Sequence, residues 1–567
     1  MGRLAMISLA AVVAVGCAKI SFEDDESAYE GPVNSCSGDV DCPVGECRET
    51  LGLCAVQYSQ GSEDELYVKV IPDATTGAPY QVFEVDVRDD GNVATLLDVK
   101  VPVVLVGSTL AGETAPSYLQ ATIVFTDVGN RLPGHPARLT LYESDGAVFD
   151  TSLLPGKYSI MVIPSGTQAD TFPVYYMDDV TVETSGVLYD SGGSPSGIIV
   201  PRPVADSDVR GIIRQGGLPT NGLEVMAVDP ETGRIVSTIA ETECNGDGPY
   251  APCGWFKLRM APGTTAFDLM ISRNYEPHHP VVTLTGFEAP AEGETLDLTS
   301  DERLSLDPLS VPVRYQATVE RPVNGVGEEI YVDPAPGCFV LFESDDVAGG
   351  VVEKWVSTNE NGTIEEISGV EGVNLYPGDY LVTVVPAQVP EDSTVDYASL
   401  TLPDPVTISG AAQIGGQLLS LSFRPRLTGV VLAGEEPVPG CYLSAEPVAL
   451  SPPSSRSSAA TTTDDGEFSI WLDEATYQIQ AEAPAKSRYA WGSRRLTISG
   501  EGVSAIDLST PFVATGTVIA SSDQSEPIDL GGAVVEWYRV IDGQAFAIGK
   551  TVADSKGDFT ALLPPAQ

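Results

Sequence analysis

Residues suited to acid–base or metal chemistry are scarce in this sequence. The 567-residue chain has only three histidines, His135, His278 and His279. They form no His-Glu-x-x-His pair, and no Gly-x-Ser-x-Gly segment provides a nucleophilic serine. General acid–base catalysis and histidine-ligated metals therefore have few candidate residues. We predict a protein that is not an enzyme and has no metal site or cofactor, although its many carboxylates leave room for loosely bound calcium.

The charge balance excludes one class of partner and the composition indicates a fold class. The chain has 80 acidic and 30 basic residues, for a formal net charge of -50. A phosphate backbone would be repelled by such a surface, so we expect no nucleic-acid partner. The apolar share of 43% is too high for a disordered chain, and 56 Gly with 43 Pro indicate many turns. Together these features predict an all-β fold of short strands.

One segment is basic and aromatic against the acidic background. Its residues fall within ten positions after a predicted strand: Lys486, Arg488, Tyr489, Trp491, Arg494 and Arg495. Aromatic rings beside cations can bind sugars or anionic polymers through stacking and charge. The alternative, which we favour, is a loop that docks against the acidic surface of a neighbouring domain.

The N-terminus has the pattern of an export signal. Arg3 precedes an apolar run at 4–15, which is too short to span a bilayer and is typical of a signal peptide. The run ends in Ala-Val-Gly-Cys at Cys17, which resembles the lipobox of bacterial lipoproteins. That resemblance implies a lipidated Cys17 as the mature N-terminus; the alternative is a secretory signal with an incidental cysteine. Because Ala18 is not the Asp associated with inner-membrane retention, we expect a lipid anchor in the outer membrane, facing the periplasm or the cell surface.

Six further cysteines predict disulfides. Four of them, Cys36, Cys42, Cys47 and Cys54, lie within nineteen residues, a segment too short to bury a core of its own. A zinc site would need Cys-x-x-Cys knuckles, which are absent. Four cysteines allow three connectivities, and the sequence does not choose among them. A further disulfide is predicted to close the loop between Cys244 and Cys253.

Two cysteines remain at matching positions of two repeats. Cys338 and Cys441 each follow a Pro-Gly pair and precede an aromatic residue. They could bridge neighbouring domains, or each could be a buried small apolar residue, since free cysteine behaves in this way. The sequence supports both interpretations equally.

Internal similarity is the most informative feature of the chain. One class of repeat contains Tyr315-Gln-Ala-Thr followed by Leu-Phe-Glu-Ser-Asp, and a matching copy begins near Tyr118. A second class opens with a glycine and two further strand residues at Gly211, Gly429 and Gly516. Its middle has a turn followed by strict alternation, which places every second residue on one face of a sheet.

These repeats resemble the carboxypeptidase-regulatory-like and Cna-B-like domains, small Greek-key β-sandwiches related in shape to transthyretin. The resemblance implies a tandem array of sandwiches behind the cysteine-rich module, of the kind found in stalks, adhesins and accessory modules. It transfers no catalytic residue to this chain. Some Cna-B domains carry a Lys–Asn isopeptide bond, but the opening strands at Gly211, Gly429 and Gly516 contain no lysine, so we expect no such bonds.

The repeats predict a division into nine segments. Residues 59–115 look like the second half of a repeat, and the segment at the C-terminus stops where other copies begin their closing strands. These incomplete ends predict a truncated sequence, and the alternative is head-to-tail completion between molecules by strand addition. The expected segments are a signal peptide at 1–16, an acidic tether at 17–34, a cysteine-rich module at 35–58, a partial sandwich at 59–115, four sandwiches at 116–205, 206–312, 313–425 and 426–512, and an incomplete sandwich at 513–567.

The sequence therefore predicts a non-enzymatic, lipid-anchored protein of the bacterial cell envelope. Its expected role is that of a structural stalk or adhesion scaffold. The alternatives are a glycan- or protein-binding module and an accessory subunit of an exported hydrolase. The expected partners are the membrane, through the lipid, and an envelope glycan or surface protein.

Overall fold

The structure is a computed structural model that describes most of the chain between residues 31 and 565. Cys17, the signal peptide, His278 and His279 lie outside the described residues. In the part of the chain that is described, no helix has the length and apolar character needed to cross a membrane. Within 31–565 the segments not described are 40–41, 43, 57–64, 74–77, 86–92, 108, 112–116, 145–148, 190–191, 193–196, 202–206, 216–217, 245–252, 273–280, 307–312, 325–329, 348–349, 368, 376, 388–394, 410–413, 449–450, 452–453 and 523–524.

The fold is all-β, as the sequence predicts. In the described residues, helix is limited to short 3₁₀ turns such as Gly166–Gln168 and Glu302–Leu304. The first five described strands are β1 (Glu46–Arg48), β2 (Leu53–Ala55), β3 (Leu66–Ile71), β4 (Gln81–Val85) and β5 (Val93–Lys100). Strands β1 and β2 form a hairpin in the cysteine-rich module, and of the three strands that follow it, β3 and β5 also pair with strands near the C-terminus.

The first complete sandwich, domain 1, lies between residues 103 and 200 and has its own apolar core around Phe125 and Tyr158. It begins earlier than the expected boundary at 116, because Leu105 and Ala111 belong to its core. Its strands are β6 (Val103–Gly107), β7 (Thr109–Ala111), β8 (Ser117–Tyr118), β9 (Ala121–Asp127), β10 (Arg138–Ser144), β11 (Phe149–Leu153), β12 (Gly156–Pro164), β13 (Tyr175–Val182), β14 (Leu188–Tyr189) and β15 (Ile198–Val200).

Domain 2 lies between residues 208 and 306. Its two main sheets have the strand orders β21-β16-β24 and β20-β19-β22-β23. The strands are β16 (Asp208–Ile212), β17 (Arg214–Gln215), β18 (Leu218–Pro219), β19 (Glu224–Val228), β20 (Ala240–Glu241), β21 (Trp255–Arg259), β22 (Ala266–Ser272), β23 (Val281–Glu288) and β24 (Thr295–Asp297).

Domain 3 lies between residues 313 and 423 and continues a sheet of domain 2, because β23 pairs with β28 across the domain boundary. The cores of the two domains form one apolar cluster. The strands are β25 (Val313–Asn324), β26 (Ile330–Pro334), β27 (Phe339–Val347), β28 (Gly350–Thr358), β29 (Ile364–Ile367), β30 (Val370–Glu371), β31 (Val373–Leu375), β32 (Gly378–Val385), β33 (Leu400–Thr401), β34 (Val406–Ile408) and β35 (Ile414–Ser420).

Domain 4 lies between residues 426 and 509. One of its sheets has the order β37-β36-β40 with β43 added in parallel to β36, and the other has the order β39-β38-β41-β42. The strands are β36 (Arg426–Ala433), β37 (Glu436–Pro437), β38 (Tyr442–Pro447), β39 (Ser458–Thr461), β40 (Glu467–Trp471), β41 (Thr476–Glu482), β42 (Gly492–Thr497) and β43 (Gly502–Asp507).

The two half-domains expected at the ends of the chain form a single sandwich together. The last five strands are β44 (Phe512–Ser522), β45 (Ser525–Asp529), β46 (Val534–Ile541), β47 (Gln544–Val552) and β48 (Asp558–Leu563). Strand β3 pairs antiparallel with β46, and β5 pairs parallel with β44. We call this unit the terminal domain. It corrects the expected boundaries at 59–115 and 513–567, which assumed that each domain is continuous in sequence.

The terminal domain has the topology of domain 4 with the chain cut at a different point. Its sheet orders, β4-β3-β46-β47 and β45-β44-β48 with β5 on β44, match those of domain 4 strand for strand. The three closing strands, which follow the first five in domain 4, come here from the N-terminal end. Val68 from that end and Trp537 from the other share one core and have no exposed surface.

Candidate functional site

The basic and aromatic segment lies in domain 4, in the loop after β41 and along β42. Arg488 adopts a positive φ of 59°, which turns the loop towards the cysteine-rich module. Its guanidinium donates to the backbone carbonyls of Leu51 and Gly52. Asn34 completes the contact, because its backbone N–H donates to the carbonyl of Ser487 at 2.9 Å and its side-chain amide donates to the carbonyl of Arg488 at 3.3 Å. This part of the segment docks the cysteine-rich module onto domain 4.

The remaining cations of the segment are also engaged. Arg494 donates to the carbonyl of Ala505 in its own domain at 2.7 Å, and Arg495 forms an ion pair with Asp542 of the terminal domain. Tyr489 packs against the core of domain 4. Burial raises the pKa of the Tyr489 hydroxyl. The structure therefore engages Arg488, Tyr489, Arg494 and Arg495 in separate contacts within the protein.

The cysteine-rich module is closed by two disulfides. Cys36 bonds Cys47 and Cys42 bonds Cys54, which resolves the connectivity that the sequence left open. Among the described residues, Cys36, Cys42 and Cys54 are also the single grouping with ligands close enough for a metal, and all three sulfurs are already committed to disulfides. The predicted Cys244–Cys253 disulfide is present in domain 2.

Cys338 and Cys441 are free and buried in domains 3 and 4. The backbone N–H of each donates to a threonine hydroxyl, Thr358 or Thr462, at 2.9 and 2.8 Å. Burial raises the pKa of both thiols, that of Cys441 to about 12. Of the two interpretations, the structure therefore supports the buried apolar residue.

A buried charge network joins domains 3 and 4. Arg424 lies between Asp396 of domain 3 and Asp473 of domain 4, at 2.6 and 3.0 Å. Arg456 adds an ion pair to Asp473 and donates to the carbonyl of Tyr397. All of these carboxylates and the Arg424 side chain are about one-tenth exposed or less. Charges this deeply buried must stay paired, so the network holds the two domains together.

Domains 1 and 2 are joined by a second polar contact. Arg234 forms a two-pronged ion pair with Asp178, at 2.7 and 2.8 Å, and its guanidinium lies over the Tyr176 ring. The backbone N–H of Val174 donates to the carbonyl of Ser237 across the same boundary. Neither contact could be predicted from the sequence, because none of these residues belongs to a recognisable motif.

The terminal domain contacts the domains on both sides of it. His135 of domain 1 hydrogen-bonds the carbonyl of Ala545 at 2.9 Å, and the N–H of Ala545 donates to the carbonyl of Pro133. On the other side, β41 of domain 4 lies against β47. The five domains are therefore linked in a closed circuit, each contacting the next and the last contacting the first.

Carboxylates are half-buried where domains 1 and 4 meet the terminal domain. Burial raises the pKa of Glu446 and of Glu482 on domain 4. Glu536 of the terminal domain differs, because the ammonium groups of Lys69 and Lys550 outweigh burial and lower its pKa. Lys69 comes from the N-terminal strands, so this ion pair also ties the two ends of the chain together.

Comparisons with known proteins find fold-level similarity only. No family model matches the chain, and no curated protein is similar to it. The Bacillus anthracis TIE protein is similar over 80% of this chain and 73% of its own, at 12% identity and a TM-score of 0.16. The streptococcal ancillary pilin is similar over 56% of this chain and 99% of its own, at 12% identity and a TM-score of 0.16.

A third solved structure gives the same result. The major pilin subunit of Bacillus cereus is similar over 56% of this chain and 99% of its own, at 13% identity and a TM-score of 0.14. Similarity at these TM-scores carries no information about function. The all-β fold rests instead on the strands and sheets of the chain itself.

Proposed function

We propose that the protein is a non-enzymatic scaffold of the bacterial cell envelope, with a structural or adhesive role. The observation that carries this proposal is how its charged side chains are used. Arg424, Arg234, Arg495 and Lys69 are all engaged in ion pairs between domains or between the two ends of the chain. Side chains used in this way hold domains in a fixed relation, which is what a scaffold requires.

The proposal includes a lipid anchor at Cys17, in the outer membrane. The lipobox-like sequence supports the anchor, and Ala18 after the cysteine supports the outer membrane. The cysteine-rich module follows the acidic tether and docks on domain 4 through Asn34 and Arg488. The tether would therefore connect the membrane to the junction of domain 4 and the terminal domain, and the closed circuit would be held as one body beside the membrane.

Metabolic labelling with an alkyne fatty acid tests the anchor. The unaltered chain, expressed in a diderm bacterium, should incorporate the label and sediment with outer membranes. Cys17→Ser should lose both properties, whereas Ala18→Ser, which keeps the lipidated thiol, should retain the label. Label on the Cys17→Ser chain, or a wild-type chain that is secreted without label, would contradict lipid anchoring. Protease added to intact cells then distinguishes a surface scaffold from a periplasmic one.

The scaffold role needs its own test. The chain purified from envelopes should show no glycoside, peptide or ester hydrolysis and should bring down no hydrolase activity. Co-purifying hydrolase activity that is lost on removal of this chain would instead support the accessory-subunit alternative. No contact in the described structure favours glycan binding by residues 486–495, since the arginines of that segment are engaged elsewhere.

A further inference from the structure

The broad sheet shared by domains 2 and 3 exposes large apolar side chains on its outer face. In β27 and β28 the inward positions, such as Val340, Phe342 and Val356, are buried, so the residues between them point outwards. Phe339 and Trp355 are 56% and 51% exposed. Leu381 on the neighbouring strand β32 is 39% exposed. Clustered exposed apolar side chains of this size mark interaction surfaces more often than isolated ones do.

The strand register brings these side chains together. Leu341 lies opposite Trp355 on one side and opposite Thr383 on the other. Opposed Cβ atoms in antiparallel strands are roughly 5 Å apart, so Leu341 lies beside Trp355. Phe339 precedes Leu341 by two positions on the same strand and therefore lies on the same face. The sheet continues into domain 2 through β23, where Val281 is 37% exposed. The face therefore extends from domain 3 into domain 2.

Two carboxylates lie within this apolar face. Glu343 pairs directly with Glu353, Leu381 lies beyond Glu343, and Val281 lies beyond Glu353. Within the described residues neither carboxylate has an ion-pair partner, while the Trp355 indole N–H donates to Glu353 at 2.7 Å. Like charges directly opposed on a sheet are destabilising, and a cation bound between the two carboxylates would relieve their repulsion.

We propose that this face, formed by Val281, Phe339, Leu341, Glu343, Glu353, Trp355 and Leu381, binds a cationic segment of a partner protein. A lysine or arginine of the partner would lie between Glu343 and Glu353, in charge-assisted hydrogen bonds and close to the Trp355 ring. Apolar side chains flanking that cation would cover Phe339 and Leu381. Aromatic anchors around a desolvated charge pair are typical of the central part of protein interfaces.

The negative charge of the face favours a cationic partner over a second copy of this chain or a neutral glycan. A second copy of this chain, related by a two-fold axis, would bring the Glu343–Glu353 pair against its own copy, and the resulting repulsion disfavours it. A neutral glycan could stack on Trp355 but would leave the opposed carboxylates without a counter-charge. The inference goes beyond the scaffold role and does not depend on the lipid anchor.

Fluorescence anisotropy with synthetic peptides tests the proposal on the purified full chain. The probe is a labelled nonapeptide of alternating leucine and lysine, at 150 mM salt so that general attraction to an acidic protein is screened. It should bind, while alternating leucine–glutamate and serine–lysine peptides should not. Glu343→Gln with Glu353→Gln, and separately Trp355→Ala, should each weaken binding of the probe by at least about tenfold, the equivalent of about 1.4 kcal/mol.

Matched variants separate this face from the acidity of the whole chain. Glu435→Gln with Glu436→Gln removes two adjacent exposed carboxylates from domain 4, and Val503→Ala trims a side chain that is 87% exposed. Both should bind the probe like the unaltered chain. Equal losses in these controls, or Trp355-dependent binding of a neutral chito-oligosaccharide in place of the cationic peptide, would overturn the proposal. Cys338 should stay unreactive in every variant, which confirms that domain 3 remains folded.

Discussion

At the scale of single residues, a buried ion pair inside domain 3 is the contact whose disruption should cost most. Lys354 lies on the inward face of β28, where its neighbours in the alternation are apolar, and pairs with Glu366. The second oxygen of Glu366 accepts from the backbone N–H of Asn374 at 3.0 Å. Burial lowers the pKa of Lys354, and the attraction of Glu366 opposes that shift. The sequence did not predict this pair, because alternation alone cannot show that a lysine points into a core.

Removing one partner of this pair should cost more than removing both. Glu366→Gln leaves a buried ammonium without a counter-charge, and we expect domain 3 to lose about 3–5 kcal/mol. Lys354→Met with Glu366→Leu fills the space with apolar atoms and should be close to neutral, or stabilising.

The reactivity of the two free cysteines reports the stability of domains 3 and 4 separately. Cys338 reports on domain 3 and Cys441 on domain 4, because both thiols are buried. In urea, Glu366→Gln should make Cys338 accessible to a thiol reagent at lower denaturant and leave the Cys441 transition unchanged, with peptides identified by mass spectrometry. An unchanged Cys338 transition would show that the pair contributes nothing to the domain.

At the scale of strands, the sequence predicted part of the packing and missed another part. Alternation after the turn at Gly466 places Phe468 and Ile470 on one face, and both are buried. In the next strand, Gln478 and Gln480 occupy the outward positions but are only 3% and 4% exposed. They are covered because β41 packs against β47 of the terminal domain. Alternation identifies the face that meets the core of the same domain, but it carries no information about contacts with another domain.

The strand pairing explains why a glycine is needed at the start of each repeat of the second class. Gly211, Gly429 and Gly516 each lie opposite a phenylalanine on the adjacent strand. A Cβ at Gly429 would lie 1.9 Å from the carbonyl oxygen of Ser504 and 2.6 Å from the Phe468 ring. The missing side chain lets the ring cover the strand and lets β43 approach in parallel.

Gly429→Ala should therefore destabilise domain 4 by about 1–3 kcal/mol, the usual cost of overpacking a core. Gly502→Ala is the matched control, since a Cβ there meets only Leu427 at an ordinary 3.4 Å. The Cys441 thiol should become accessible at lower urea in the first variant and at the unaltered concentration in the second. Equal behaviour of the two variants would refute a steric role for the opening glycine.

At the scale of the whole molecule, the sequence showed both halves of the terminal domain but not their union. The segment containing β3 was recognisable as the second half of a repeat, and the C-terminal segment as the first half. No local sequence pattern indicates that two strands more than four hundred positions apart will pair. Their pairing depends on which strand edges the intervening domains bring together. Loop-closure entropy rises only slowly with loop length, so four folded domains between the strands do not prevent it. The closure also removes the unpaired edges that two separate half-sandwiches would expose.

Two adjacent leucines test this closure. Leu97 on β5 is 1% exposed and lies in the core of the terminal domain, whereas Leu96 is 65% exposed on the opposite face. Leu97→Asp buries an unpaired carboxylate and should release β5 from β44, so that amides across 512–563 lose hydrogen-exchange protection. Leu96→Asp should leave that protection intact. Protection at 512–563 that survives Leu97→Asp would mean that the C-terminal strands fold without the N-terminal ones.

Cross-linking then shows whether the two halves belong to the same chain. Lys69 and Glu536 are 3.1 Å apart, so a carbodiimide should join them by an amide bond with loss of water. In an equal mixture of chains with light and heavy nitrogen, closure within one molecule gives only light–light and heavy–heavy linked peptides, because both partners come from the same chain. Completion between molecules would make about half of the linked peptides mixed, since each N-terminal segment would meet either isotope equally often. We expect no mixed product, because the linkers Val101-Pro102 and Thr510-Pro511 are short. They could not carry the terminal strands to another molecule without opening the contacts of Ala545 with Pro133 and His135.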